Sequence, residues 1–262
     1  MSDSSISTAD LVQYADNMAK WSFSSGSNLM WYLNTLAKFS SYSLNNQLLI
    51  MGYKADATFI KGWQEWQELG ITIHQEAAPI VIIEPINGAY QTKYMYDVSD
   101  VNYEYKPQVY DKMQTLEALL TETKNIEVVD TIKNGVRAMY IPEKNCIHVR
   151  RSNKVSPDVF FTSIAAEMVH MHKASGSEGV YKRAPNQVTA KAVAYALGLK
   201  YGLDVSDIQL NNLPEKYMTM SEKVSKKELD KIRESFIGID NKIELALQQI
   251  VKRDVMYRGN ER

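Results

Sequence analysis

Apolar positions recur at helical spacing along much of the chain. Leu11, Tyr14, Met18 and Trp21 form one set, with Ser7 as N-cap and Asp10 in capping-box position. Phe23 to Asn28, rich in Ser and Gly, reads as a loop. Leu29, Tyr32, Leu33, Leu36 and Phe39 predict a second amphipathic helix. A third fits Leu44 to Met51, with Gly52 placed to end it. Asp56 to Ile60 reads as extended. Gly62 to Gly70 reads as a short helix on which Trp63 and Trp66 share a face. Ile71 to His74, Ile80 to Glu84 and Thr92 to Val98 read as strands, the last two joined by the Asn87-Gly88 turn signal.

A tyrosine-rich linker, Val101 to Pro107, precedes a second pattern. Val109 to Thr123 predicts a helix. Ile126 to Val129, Val136 to Tyr140 and Cys146 to Val149 predict strands, with Asn134-Gly135 as a turn. Phe160 to Lys173 predicts a buried helix, with Ile164, Met168 and Met171 on one face and Ser163, Ala166, Glu167 and His170 on another. Gln187 to Tyr201 predicts its companion, burying Val188, Ala192, Tyr195 and Leu199. A polar tail follows Pro214. There Ser225 and Glu228 have capping-box spacing ahead of Leu229, Ile232 and Phe236, and Ile239, Ile243, Leu247 and Ile250 mark a last helix.

The 262 residues, 45% hydrophobic and 23% charged, fit a globular protein of one large or two small domains. No apolar run is long enough to span a bilayer. The polar start, MSDSSISTAD, does not read as a signal peptide, so the expected location is cytoplasmic. One cysteine, Cys146, leaves no intramolecular disulfide and no Cys-based zinc site. Its alternating apolar surroundings predict a packed thiol. Charge is uneven. Residues 1–105 hold five Lys and eleven Asp or Glu, a net of −6, leaving 25 basic and 20 acidic residues elsewhere, a net of +5.

The chemistry of interest lies in Ala166-Glu167-Met168-Val169-His170. In an H-E-x-x-H helix, two His one turn apart bind Zn²⁺ and the Glu between them activates the metal-bound water. Here the Glu and second His are in register, but Ala166 carries no donor atom. Alone, Glu-x-x-His reads as an ordinary core helix with a chance Glu and His.

Wider stretches bear on that choice. Tyr42-Ser-Leu-Asn-Asn-Gln-Leu-Leu-Ile50, Ala57-Thr-Phe-Ile-Lys-Gly-Trp-Gln-Glu-Trp66, Leu69-Gly70, Ile80-Val-Ile-Ile-Glu-Pro85 and Tyr96-Asp-Val-Ser99 occur in one order. In these the chain resembles the N-terminal domain of ArdC-type antirestriction proteins, a domain associated with single-stranded DNA binding. Residues 109–210 resemble the zincin-like (ImmA/IrrE-type) metallopeptidase domain that follows it. There Ile147 to Arg150 corresponds to the edge strand, Ile164 to His172 to the metal helix, and Thr189 to Tyr195 to the helix that supplies a third ligand, a Glu. The resemblance thus implies an α+β protein: an N-terminal module (1–105), a metallopeptidase-fold domain (106–213) and a helical extension (214–262).

The departures from that family argue against its activity. Ala166 replaces the first His, and Thr189-Ala-Lys191-Ala replaces the Glu-Ala-Glu-Ala that carries the third ligand. Of three protein ligands only His170 remains, whereas a catalytic zinc needs about three. The reading is therefore a pseudo-metallopeptidase with no catalytic residues, no metal and no cofactor, in which Glu167 and His170 are relics. Lys191 is the expected partner of Glu167. A rebuilt ligand set drawing on His148 or Glu178 is the less favoured alternative.

Single-strand binders combine positive charge with aromatic stacking faces. The first module has the aromatics: Trp31, Tyr42, Tyr53, Trp63, Trp66, Tyr90, Tyr94 and Tyr96, most expected in the core. Its net charge is unfavourable, because phosphate contacts dominate affinity. The candidate contacts are Lys54, Lys61, Trp63, Lys93 and Tyr94, with Arg150, Arg151 and Lys154 in a more basic stretch of the second domain. The expected function is a non-catalytic factor of a mobile element or phage that binds single-stranded DNA or a protein and touches no membrane. A protein-interaction factor that blunts a host defence enzyme, and a metallopeptidase with rebuilt ligands, are the alternatives.

Overall fold

A computed structural model describes residues 6–86, 89–123, 125–152, 155–176 and 180–260, with backbone alone at 134 and 255–260. The chain forms two compact units. The first comprises Met1–Gln108 and Asn211–Asp230, the second Val109–Leu210 and Lys231–Arg262. The stretch read as a C-terminal extension, 214–262, is thus divided between them. The Asn87-Gly88 turn, Lys154 and Glu178 lie outside the described residues.

The first unit is helical at its start: α1 (Thr8–Ser22), α2 (Gly26–Lys38) and α3 (Leu44–Tyr53). The Ser7–Asp10 capping box forms as the spacing predicts. The buried stripe of α1, however, is Leu11, Ala15, Ala19 and Ser22, while Tyr14 and Trp21 are exposed. Small side chains face inward there. The expected 23–28 loop is shorter than read, because the Ser25 hydroxyl caps α2 by accepting from the Asn28 N–H. Gly52 does not end α3. A Cβ there would lie 2.7 Å from the Tyr14 ring, and the Tyr14 hydroxyl donates to the Gly52 carbonyl at 3.1 Å, so the glycine permits a close approach.

The sheet of this unit is antiparallel, in the order β1 (Ile60–Gly62), β3 (Ala89–Asp97), β2 (Ile80–Ile86). Between β1 and β2 lies α4 (Trp63–Glu68), which ends on Gly70 at φ 71°. Ile71 to His74 makes only one bridge, Ile73 to Val101, rather than a strand. Phe39, Ile50, Ala57, Ile60, Ile80, Ile82 and Met95 form a core cluster on one face of the sheet. The outer edge of β2 is closed by a side chain. Asn46 of α3 donates to the Ile83 carbonyl at 2.8 Å and accepts from the Ile83 N–H at 2.9 Å, as a neighbouring strand would. At the start of β1, the Thr58 and Phe59 N–H groups donate to Asp97 Oδ1. Burial works against that carboxylate's charge, but these donors and Ser99 outweigh it and lower its pKa.

The second unit places α5 (Lys112–Glu122) before a three-stranded sheet of order β4 (Ile126–Val129), β6 (Cys146–Arg150), β5 (Ala138–Ile141). Strands β4 and β6 are parallel, β5 and β6 antiparallel. Helix α6 (Pro157–Ser175) packs against the sheet, α5 and α7 (Gln187–Lys200). The buried residues of α7 are Thr189, Ala190, Ala192, Val193, Ala194, Ala196, Leu197 and Gly198, a face rotated from the predicted one. Small side chains set that rotation: a Cβ on Gly198 would lie 2.4 Å from a Val205 methyl and 3.3 Å from Thr162 of α6.

After α8 (Glu215–Met218), the chain ends in α9 (Glu222–Asn260). The Ser225–Glu228 capping box does not form. Ser225 is buried inside the helix, and its N–H donates to the Ser221 carbonyl. The two expected terminal helices are one. No described helix is long and apolar enough to cross a membrane.

Candidate functional site

Helix α6 carries Glu167 and His170 into the interior of the second unit, where both are buried. One turn apart, they share a face as the spacing predicts. The partners of Glu167 differ from the one expected. The Glu167 carboxylate is gripped by both terminal nitrogens of Arg183, one at 2.7 Å, in a two-pronged ion pair. The Tyr140 N–H of β5 donates to its Oε2 at 2.7 Å. Lys191, the expected partner, points elsewhere and donates to the Gln209 carbonyl at 3.2 Å. A planar guanidinium matches both carboxylate oxygens, and an ammonium does not.

The His170 Nδ1 lies 2.6 Å from the Tyr181 hydroxyl. Burial and then the Arg183 charge depress its pKa to about 4, against smaller opposing effects of Glu167 and Gln187. The ring is therefore neutral at neutral pH. Its Nε2 is buried and, among the described residues, makes no hydrogen bond of ordinary geometry.

These residues do not fit a catalytic zinc. Ala166 has no donor atom, and Thr189 of α7 is buried with no carboxylate to offer. Both Glu167 oxygens are engaged, and the Arg183 guanidinium puts a fixed positive charge beside the carboxylate. His148 cannot rebuild the set from β6. That strand alternates, turning Ile147 and Val149 into the core and Cys146, His148 and Arg150 to the opposite face. Cys146 is accordingly half-buried on the outer face rather than packed in the core.

Three residues that build this arrangement, Arg183, Tyr181 and Tyr140, were not singled out from the sequence. Tyr140 acts through its backbone, which no side-chain pattern encodes. Arg183 and Tyr181 lie in the irregular segment between α6 and α7, where no periodicity aims a side chain.

In the first unit, the predicted cationic contacts are largely engaged. Lys54 pairs with Asp100 at 2.7 Å. Lys93 lies 3.7 Å from Glu65 and 3.5 Å from Glu84. The Lys61 ammonium sits over the Phe59 ring, 5.4 Å from its centre. The aromatics are more available than expected. Trp66 is fully buried, donating to the Tyr96 carbonyl. Trp63, Tyr90 and Tyr94 are 56%, 70% and 48% exposed, and Trp31 and Tyr53 are exposed as well. Trp63, three positions before Trp66, opens the helix and turns outward. In the second unit, Arg150 is half-buried and Arg151 is exposed, its nearest carboxylate Asp130 at 3.6 Å.

A groove of about 1370 Å³ runs across the first unit. Tyr42 and Tyr90 line it, with the Ser41–Asn46 segment. Lys223, Lys226 and Lys227 of α9 line it together with Asp16, Glu84 and Asp230, and Lys226 is paired with Asp16. None of these lysines was proposed as a contact, because their stretch reads as a helix cap in a tail. Their i, i+3, i+4 spacing was the available signal.

No family model and no curated protein matches the chain. Among solved structures it is similar to the antirestriction protein ArdC of plasmid R388. The Mn(II)-bound form shares 15% identity at a TM-score of 0.47, over 78% of this chain and 81% of that one. The metal-free form shares 14% at 0.48, over 78% and 83%.

Proposed function

We propose that the protein is a non-catalytic binding factor of a mobile element or phage, with an antirestriction role exerted through single-stranded DNA. On this reading the second unit is a pseudo-metallopeptidase of zincin-like fold that retains its helix and has lost its metal. The module boundaries implied by the family resemblance, 1–105, 106–213 and 214–262, belong to the same proposal, as does a cytoplasmic location.

The observation that carries the reading is the groove of the first unit. It combines exposed Tyr90 with Lys223 and Lys227, one helical turn apart, and with hydroxyl and amide side chains at Ser41, Ser43 and Asn45. Aromatic faces accept bases of any sequence, and lysines neutralise phosphates. The bidentate Glu167–Arg183 pair supports the second half of the reading, because it leaves no carboxylate to activate water.

The test is a salt titration of the purified protein on single-stranded oligonucleotides. Binding should be tight at low salt, weaken steeply as salt is added, and weaken further in Lys223→Glu/Lys227→Glu. Absence of binding at low salt would favour a protein partner instead. Stoichiometric zinc lost on His170→Ala, together with peptide cleavage, would overturn the pseudo-metallopeptidase reading.

A further inference from the structure

Strand β6 turns two ligand-type side chains, Cys146 and His148, to its outer face, and its parallel neighbour β4 sets Glu127 directly across from His148. Alternation brings the pair onto one face at positions i and i+2. The sulfur, the imidazole nitrogen and a carboxylate oxygen all lie within 4.8 Å of one another. The His148 Nε2 is 2.8 Å from Glu127 Oε2, and the Cys146 sulfur is 3.8 Å from the same oxygen.

We propose, against the expectation that a single cysteine leaves no Cys-based zinc site, that Cys146, His148 and Glu127 form a binding site for a borderline or soft divalent cation, of which zinc is the natural probe. Thiolate, imidazole and carboxylate together suit such an ion and leave a fourth position for water. Donor separations in a tetrahedral zinc site of this kind are roughly 3.3–3.5 Å, so small rotamer changes complete the geometry. The buried His148 Nε2 already faces the Glu127 carboxylate at 2.8 Å, so imidazole and carboxylate converge on one point beside the thiol, and a cation would replace their direct contact.

Lys144, whose ammonium lies 3.2 Å from Glu127 Oε2, now holds that carboxylate. Its side chain is more than half exposed and can swing into solvent. Cation binding displaces Lys144 from Glu127 and the proton from the Cys146 thiol, which leaves to solvent. The site faces away from Glu167 and His170, across the strand.

The experiment is a Co²⁺ and Zn²⁺ titration of the intact, reduced protein. One equivalent of Co²⁺ should produce a near-ultraviolet thiolate-to-metal charge-transfer band, and competing Zn²⁺ should remove it. Cys146→Ser should abolish the band. Glu127→Gln, at an exposed position that folding tolerates, should weaken Zn²⁺ binding by at least roughly tenfold, the lower range for losing even an outer-shell contact. Lys144→Ala should tighten it, and His170→Ala should leave it unchanged. Absence of the band, or retention of the metal in both Cys146→Ser and Glu127→Gln, would overturn the proposal. So would its loss in His170→Ala alone.

Discussion

The two units use their polar groups in opposite ways. In the second, a carboxylate, a guanidinium, an imidazole and a phenol converge beneath α6 and are turned on one another. In the first, tyrosines, lysines and amides line an open groove. Groups that satisfy each other inside a protein stabilise or specify the fold and are lost to ligands. Exposed groups such as Tyr90 contribute little to stability and remain available, whereas Lys226 and Asn46 in the same lining are engaged by Asp16 and Ile83. The polar centre around Glu167 and His170 is therefore spent on its own partners.

That contrast is broken most directly at Arg183. Arg183→Met should strand the Glu167 charge in the core and cost about 3 kcal/mol, the low end for a buried pair because the guanidinium is partly exposed. Urea denaturation measures it. Adding Glu167→Gln should recover part of the loss, since the amide oxygen still accepts from the Tyr140 N–H. A cost below about 1 kcal/mol, the range of surface pairs, would mean that Glu167 is not committed to structure.

His170 gives the next largest effect. Folding holds the ring neutral down to about pH 4, whereas an unfolded imidazole protonates near 6.5. Between those values the unfolded chain binds more protons. The contribution is complete above pH 6.5 and declines as pH falls toward 4, by about 3 kcal/mol in all. The stability difference between the protein and His170→Gln, followed across pH 4–7, should trace that decline. A parallel dependence in the two proteins would refute it.

In the first unit, Asn46→Ala removes both hydrogen bonds to the backbone of Ile83 and should cost about 2 kcal/mol. Asn46→Asp should cost a comparable amount, because a carboxylate cannot donate to the Ile83 carbonyl. The smallest effect belongs to Tyr90. Tyr90→Ala should weaken binding to a single strand by about 1 kcal/mol, the lower range for one stacked base, without changing the denaturation midpoint. A shift in stability with unchanged binding would place Tyr90 with the structural groups and erase the contrast.

Much of the secondary structure was legible from periodicity and caps. The helix at Leu44, the strand at Ile80 and the helix carrying Glu167 all form where the pattern puts them. Orientation was less legible. On α1 and α7 the larger residues suggested one face, and alanines and a glycine took another, because close helix packing favours small side chains that no hydrophobicity pattern ranks highly. The aromatics of the first unit were misjudged for a related reason. Trp63 and Trp66 are equally apolar, and only the seating of α4 buries one and exposes the other.

The sequence by itself determined which donor atoms these helices can offer. Ala166 has no donor and Thr189-Ala-Lys191-Ala has no carboxylate, whatever the fold around them. It also determined that Glu167 and His170 share a face, since helical spacing is a local property. Only the tertiary structure decided what meets them there. Arg183 and Tyr181 come from an irregular segment, Tyr140 contributes a backbone group, and Glu127 reaches His148 across a strand pairing. Such contacts depend on how elements pack, and packing is a property of the whole unit rather than of any window along the chain.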